Sequence, residues 1–139
     1  MIVLLDSNIV LDVMLPNPEL FEESNAVMEL AVKGFDFYIS ASAVTDIYYI
    51  TKRSCHSSEA TKQTIKNLLK IVSVAGVDET CILNALNSNW KDFEDSVQHQ
   101  VAQQIKAEII VTRNTNDYVA SSIRVMPPKE FLSFANELL

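Results

Sequence analysis

The sequence predicts an α/β fold in which a parallel sheet is covered by helices on both faces. Short runs of branched apolar residues alternate with segments whose apolar residues recur at helical spacing, which is the pattern of strand–helix–strand units. The first run, residues 1–5, has no polar alternation and is typical of a strand buried on both faces. The 139 residues contain no internal repeat and no linker, so we expect a single domain over residues 1–139.

The first half of the chain is predicted to hold three strands, each followed by helices. After the strand at 1–5 and an apolar segment at 9–15, Pro16 and Pro18 interrupt the pattern, and a helix is expected to begin at Pro18. The aromatic and branched run at 35–39 predicts the second strand. The elements that follow are a helix over 43–53 capped by Ser42, a helix over 58–69 and a third strand over 70–74.

The second half predicts two further strands and three helices. A helix that opens at Asp78 is expected to bury Leu83 and Leu86. The longest helical pattern follows Asp92, with an apolar residue at every fourth position from Phe93 onward. The remaining elements are a fourth strand over 107–112, a fifth strand over 123–126, and a last helix that begins at residues 127–128 and buries Leu138.

The composition restricts the function without identifying it. The formal net charge of −7 argues against a strong, salt-driven nucleic-acid binder, because such binding depends on Lys and Arg. It is compatible with a nuclease whose acids are neutralised by a metal, or with a basic partner. No apolar run approaches the ~20 residues that cross a bilayer, and the apolar start predicts a strand rather than a signal peptide. Cys55 and Cys81 lie far apart, which predicts buried thiols of a cytoplasmic protein.

Four acids follow the predicted elements at one edge of the sheet. Asp6 ends the first strand, and Asp117 lies in the polar loop after the fourth strand. In a doubly wound sheet the strands on either side of the switch in winding are neighbours, so these two loops can share a crevice. Asp95 lies near the start of the helix that leads into the fourth strand, and Asp46 near the start of the helix after the second. These four positions form a candidate ring of carboxylates.

Converging carboxylates without Arg or Lys repel one another unless protons or a cation compensate them. Oxygen-only ligation suits Mg²⁺ or Mn²⁺, and such a site promotes in-line attack on a phosphodiester. The alternative interpretation is that each Asp is a helix cap or a solvated charge. We assign Asp12, Asp36, Asp78 and Glu79 to that class, and Asp92 is a candidate N-cap of the long helix. From the residues alone, both interpretations of the four-acid site stay open.

Four segments of the chain, in order, resemble the signature blocks of PIN domains. They are Leu-Leu-Asp-Ser-Asn at 4–8, Ser-Ala-Ser-Ala-Val-Thr-Asp-Ile-Tyr-Tyr at 40–49, Asp-Phe-Glu-Asp-Ser at 92–96 and Val-Thr-Arg-Asn-Thr-Asn-Asp-Tyr at 111–118. The chain is most similar to small prokaryotic members such as the VapC-like toxins of toxin–antitoxin pairs. The resemblance implies a three-layer α/β/α sandwich with a parallel five-stranded sheet and a Mg²⁺- or Mn²⁺-dependent endoribonuclease.

The resemblance also implies roles for particular residues. The acidic quartet of the family is matched by Asp6, Asp46, Asp95 and Asp117, of which Asp6, Asp95 and Asp117 are the expected metal ligands. Polar positions that line the site are matched by Asn8 and Thr112, and an auxiliary position often held by an acid is matched by Asn114. Partners implied by the resemblance are an RNA substrate and an antitoxin protein. Homodimerisation through the helices at 43–50 and 58–69 is a further prediction.

Departures from the family pattern leave a second function open. Asp46 stands where the family usually has Glu, so its carboxylate reaches one methylene less far. This shortening and the overall acidity favour a catalytically weak PIN module that serves as a protein- or RNA-binding partner. A phosphotransfer domain of the Asp-x-Asp type is disfavoured because the second acid is replaced by Asn8. Arg113 and Lys91 are candidate phosphate contacts, or else exposed solubilising charges.

Overall fold

The computed structural model describes residues 1–15 and 17–139, and a five-stranded parallel sheet forms its middle layer. The strands lie in the order β3-β2-β1-β4-β5. The chain therefore builds the sheet outward from β1 in one direction and then returns to build it in the other. The strands are β1 (Ile2–Leu5), β2 (Asp36–Ser40), β3 (Ser73–Ala75), β4 (Ile109–Val111) and β5 (Arg124–Met126).

Seven α-helices cover the two faces of the sheet. One apolar core lies under α1, α2, α3 and α7 and includes Ile9, Ile47 and Phe131. The other core lies under α5 and α6 and includes Cys81 and Val101. The predicted three-layer α/β/α sandwich is confirmed. The helices are α1 (Ser7–Met14), α2 (Phe21–Glu29), α3 (Ala41–Cys55), α4 (Ser58–Leu68), α5 (Glu79–Leu86), α6 (Phe93–Gln104) and α7 (Pro128–Leu138), with short 3-10 turns at Leu30–Lys33 and Thr115–Tyr118.

The first strand is the centre of the sheet, as its unbroken apolar sequence predicts. Val3 and Leu5 point into the core under α1 and α7, whereas Leu4 points into the core under α5 and α6. All three side chains are fully buried. This alternation follows from the two-residue period of a strand, and it explains why no polar residue is tolerated between Ile2 and Leu5.

Strand register determines which loops meet at the carboxyl edge of the sheet. Leu5 pairs with Val111, and the backbone N–H of Asp6 donates to the carbonyl of Val111 at 3.0 Å. The residues that follow these strands, Asp6 and Thr112, are therefore neighbours. This edge, between β1 and β4, is the switch in winding direction where parallel α/β sheets place their ligands.

Several predicted boundaries differ from the observed ones by a few residues. Helix α3 is capped by Ser40 rather than Ser42, and the Ser40 hydroxyl accepts from the Ser42 N–H. The predicted third strand at 70–74 is shorter, because residues 70–72 form the turn that leaves α4. Helix α2 begins at Phe21 rather than at Pro18. The predicted break at Pro16 lies outside the described residues.

Some apolar residues that were expected in the core are exposed. Leu86 and Leu138 lie at the last turns of their helices, and Phe93 is the first residue of α6, so all three lie at helix ends rather than mid-helix. Leu83 is exposed because α5 packs through Cys81 and Ala85, one turn apart, and a residue midway between them points away.

The expectation that both cysteines are buried holds for Cys81 but is wrong for Cys55. Within residues 1–15 and 17–139, no helix is both long and apolar enough to cross a membrane.

Candidate active site

Asp6 lies at the carboxyl end of β1 and is nearly buried, with 6% of its surface exposed. Its carboxylate is held by side-chain donors from four parts of the chain, and no Lys or Arg of the described residues forms an ion pair with it. A buried carboxylate with no cation needs such donors to offset its lost hydration. The donors are Thr112 at 2.7 Å, Gln98 at 3.2 Å, Tyr118 at 3.3 Å, Ser7 at 3.4 Å and Asn8 at 3.5 Å.

A second carboxylate, Asp95, faces the same space from the first turn of α6. Asp92 caps this helix by accepting from the backbone N–H of Asp95 at 2.9 Å, as predicted for the N-cap position. The hydroxyl of Tyr118 lies 3.3 Å from Oδ2 of Asp6 and 3.3 Å from Oδ1 of Asp95. One phenol therefore links the two carboxylates that the sequence predicted as metal ligands.

The acids at this edge influence one another's ionisation. Burial, followed by the negative charges of Asp92 and Asp6, raises the pKa of Asp95 to about 7. Asp117 adds to this effect, whereas the hydrogen bond from Tyr118 opposes it. Burial and the carboxylates of Asp6 and Asp95 raise the pKa of Tyr118 above its ordinary range. The phenol therefore keeps its proton and remains a donor, while no Lys or Arg of residues 1–15 and 17–139 forms an ion pair with Asp95.

The other two predicted acids are less closely tied to Asp6. Asp117 is exposed on the 3-10 turn after β4, and its charge reaches Asp95. Asp46 is exposed on α3 and instead acts on Glu94, whose pKa is raised by burial and then by Asp46. In the part of the chain that the structure describes, no three His, Cys, Asp or Glu side chains are close enough together to hold a metal ion. Assembly of the predicted ligand set Asp6, Asp95 and Asp117 around one ion thus stays a prediction.

The predicted auxiliary residues surround Asp6. The side-chain amide of Asn8 lies within hydrogen-bond distance of Asp6 and of the Thr112 hydroxyl, at 3.5 and 3.3 Å. Thr112 in turn accepts from the backbone N–H of Asn114 at 3.1 Å. The side chain of Asn114 is exposed, so its link to Asp6 runs through its backbone.

Sequence reasoning missed three side chains that belong to this site. Gln98 donates to Asp6, yet its own Oε1 is buried and has no partner among the described residues. Gln98 lies three residues after Asp95, on the same face of α6, which is the signal that could have identified it. Tyr118 directly follows Asp117 but was given no role. Glu94 was also not predicted, although it is adjacent to Asp95 in sequence. Its pKa is raised by burial and then by the neighbouring Asp46.

Asp12 and Arg113 form a half-buried ion pair that the sequence did not predict. The sequence predicts Asp12 to be a helix cap or a solvated charge, but only 4% of its surface is exposed. Nε and Nη2 of Arg113 bind its two carboxylate oxygens, each at 3.0 Å, and the Ser24 hydroxyl donates to Oδ2 at 2.7 Å. Arg113 is exposed, as one of its two interpretations expected, but it is paired with Asp12 rather than free; its role as a phosphate contact stays a prediction. The pair ties α1 to the loop that follows β4, one residue beyond Thr112.

Replacing Asp12 with Ala is expected to lower the free energy of unfolding by about 1–3 kcal/mol, because it leaves the Arg113 guanidinium and the Ser24 hydroxyl without their partner. Urea denaturation measures the change. Asp36→Ala removes an exposed carboxylate of β2 and is the matched control, with an expected change within about 0.5 kcal/mol. Equal stability of the two variants would show that the ion pair contributes nothing.

Comparison with known proteins identifies the family. The model of the PIN domain family matches residues 2–116, and the chain belongs to this family. The curated protein Ribonuclease VapC1 of Aquifex aeolicus is 25% identical over 147 residues, covering 98% of this chain and 96% of that protein.

Solved structures share the fold at low sequence identity. VapBC2 from Rickettsia felis, bound to a promoter DNA fragment, matches with a TM-score of 0.69 and 16% identity over 91% of this chain and 98% of that one. A toxin–antitoxin complex from Klebsiella pneumoniae matches with a TM-score of 0.69 and 19% identity over 91% and 97%. VapC20 from Mycobacterium tuberculosis, described as a sarcin–ricin loop cleaving toxin, matches with a TM-score of 0.65 and 12% identity over 85% of this chain and 94% of that one.

Proposed function

We propose that this protein is a metal-dependent endoribonuclease that hydrolyses RNA phosphodiester bonds. The observation that carries the proposal is the pair of carboxylates, Asp6 and Asp95, that share the Tyr118 hydroxyl at the winding switch without a compensating cation. Such a pair is costly unless a cation or a proton balances it. Membership of the PIN family and the likeness to a curated ribonuclease support the same chemistry.

The residues present suit a hard divalent cation such as Mg²⁺ or Mn²⁺. Asp6 and Asp95 provide two carboxylates, which is the number that Mg²⁺ commonly takes from a protein. The unpartnered Oε1 of Gln98 is a further oxygen beside Asp6. We assign the cation to Asp6 and Asp95, with Asp117 adding negative charge from the adjacent turn. When bound, the cation would supply Lewis-acid stabilisation of the charge that develops on the phosphate oxygens.

The other residues of the site position these groups. The five donors around Asp6 restrict its carboxylate to one orientation, so little rearrangement is needed when a ligand binds. Tyr118 keeps its proton and holds the Asp6 and Asp95 carboxylates close together. Asp46 and Glu94 form a second acidic pair at the start of α3 and α6. The side chain of Glu94 is one methylene longer than that of Asp46, so its carboxylate reaches further from the backbone.

The comparisons also suggest the biological setting of this activity. Several structural neighbours are toxin–antitoxin complexes, so we propose that the chain is the toxin of such a pair and that an antitoxin protein binds it. Homodimerisation through the helices at 43–50 and 58–69 stays a prediction from the sequence and is not part of this proposal. The alternative is a catalytically weak module that binds RNA or protein. One observation favours it: no three-carboxylate group is formed among the described residues.

Titration with Mn²⁺ separates the two functions. We expect calorimetry to detect a binding site below millimolar Mn²⁺, and we expect cleavage of a mixed RNA substrate to stop in EDTA and return with Mn²⁺. Asp95→Asn should weaken Mn²⁺ binding by about 10-fold or more, whereas Asp36→Asn, at an exposed position of β2, should not change it. If millimolar Mn²⁺ does not bind, the nuclease proposal fails and the binding module remains.

A further inference from the structure

The positive charge of this acidic protein is concentrated in one segment. Between Asp46 and Asp78 the chain has five cations and a single acid, a net charge of +4 within a chain of −7. Four of the cations lie on α3 and α4 and are exposed, and the acid is Glu59. The five cations are Lys52, Arg53, Lys62, Lys66 and Lys70.

This charge begins close to the candidate active site. On α3, Tyr49 and Ile50 follow Asp46 by three and four residues, and Arg53 follows by seven, so all four lie on one face of the helix. From Asp46 to Arg53 the helix rises by about 10 Å. The candidate catalytic acid, an aromatic ring and a guanidinium therefore follow one another along an exposed ridge.

The aromatic ring on this ridge, Tyr49, is exposed. Tyr49 leaves 61% of its surface in contact with solvent and packs edge-to-face against Tyr48 at 5.1 Å between ring centroids. Tyr49 borders two depressions. One is a groove between α3 and α4 with a volume of about 370 Å³, which has a mainly apolar floor and is also lined by Lys62 and Lys66. The other is lined by Lys52, Arg53 and His56.

We propose that this α3–α4 surface binds single-stranded RNA and leads it towards the Asp46 end of the candidate active site. An exposed aromatic ring beside Lys and Arg, as Tyr49 lies beside Lys52 and Arg53, is the combination that stacks bases and contacts phosphates in single-strand binding proteins. The surface has the charge sign that suits a polyanion, and the rest of the chain is strongly acidic. A second copy packed symmetrically on the same surface would instead bring like charges together. The inference rests on the proposed ribonuclease function.

Binding and cleavage of a fluorescent single-stranded RNA 12-mer test the proposal. Binding is measured in the Asp6→Asn background, with or without Lys52→Glu/Arg53→Glu or Tyr49→Ala. We expect about 10-fold weaker binding for either change, and a salt slope reduced by about 1.4 for the loss of two phosphate contacts in the double charge reversal. The matched control is Lys33→Glu/Lys129→Glu, which makes the same charge change at exposed positions on other elements. In the active protein, Lys52→Glu/Arg53→Glu and Tyr49→Ala should each raise KM with little change in kcat.

The outcomes distinguish this inference from the proposed function. Equal weakening of RNA binding by the control pair would mean that binding depends only on the net charge of the protein, which overturns the inference. If the active protein cleaves RNA but the α3 variants bind RNA as tightly as the parent, the inference fails and the proposed ribonuclease function is retained. If the active protein cleaves no RNA, the proposed function fails, and the binding data alone decide about the surface. Loss of binding to an acidic protein partner with unchanged RNA affinity would reassign the surface to that partner.

Discussion

Replacing Asp6 with Asn is expected to reduce RNA cleavage in Mn²⁺ by about 100-fold or more. Loss of the residues that merely orient metal ligands commonly costs about 10–100-fold, and Asp6 is proposed as a ligand itself. The substitution also removes one of the two charges that the cation would neutralise between Asp6 and Asp95. Initial rates on single-stranded and structured RNA measure the effect.

The Asp6→Asn variant is expected to fold. Asn has the same shape as Asp, and the hydroxyls of Thr112 and Tyr118 can rotate to accept from its amide instead of donating to a carboxylate. The control is Asp36→Asn, which makes the same chemical change at an exposed position of β2 and should leave the rate unchanged. Wild-type activity in a folded Asp6→Asn protein would rule out the proposed site.

Replacing Phe131 with Ala is expected to lower the free energy of unfolding by about 3–5 kcal/mol. Phe131 is fully buried where α7 meets the sheet. Its ring packs edge-to-face against Phe35 at 5.6 Å and Phe37 at 6.1 Å between centroids. Removing it leaves a cavity that these rings fill only in part. The loss is a large fraction of the about 5–15 kcal/mol that stabilises a typical domain, and urea denaturation measures it.

A neighbour on the same helix provides the control for Phe131. Phe134 is only partly buried and stacks under the guanidinium of Arg124, 5.1 Å from its ring centroid. Because most of what Phe134→Ala removes is a contact near the surface, we expect a loss of about 1 kcal/mol. A similar loss in both variants would contradict the assignment of Phe131 as the anchor of α7.

The local features of the fold were predictable because neighbouring residues decide them. The unbroken apolar run before Asp6 requires a strand with two covered faces, and the structure places it at the centre of the sheet. Asp78 and Asp92 were predicted to begin helices, and each accepts from a backbone N–H three residues later. These interactions are complete within one turn of the chain, so no distant residue can change them.

The candidate site was only partly predictable. Asn8 and Thr112 lie beside Asp6 because both strands end at the same edge of a parallel sheet, which the alternation of elements implies. Gln98 and Tyr118 were not predicted, because a Gln within a helix and a Tyr after a loop carry no local sign of their direction. Their contacts with Asp6 span 92 and 112 residues.

By itself, the sequence determined a parallel α/β domain, its winding switch and an acid at that switch, since hydrophobic period and strand order suffice for these. The tertiary structure alone decided how the charges are shared. Asp12 resembled a solvated acid but is buried, because Arg113, 101 residues away, folds back to bind it. Among the described residues, Asp6 in contrast receives neutral donors and no Lys or Arg, which is why we propose it as a ligand of the cation. A carboxylate's role depends on which charged side chains lie near it in space, and the order of residues along the chain does not specify those neighbours.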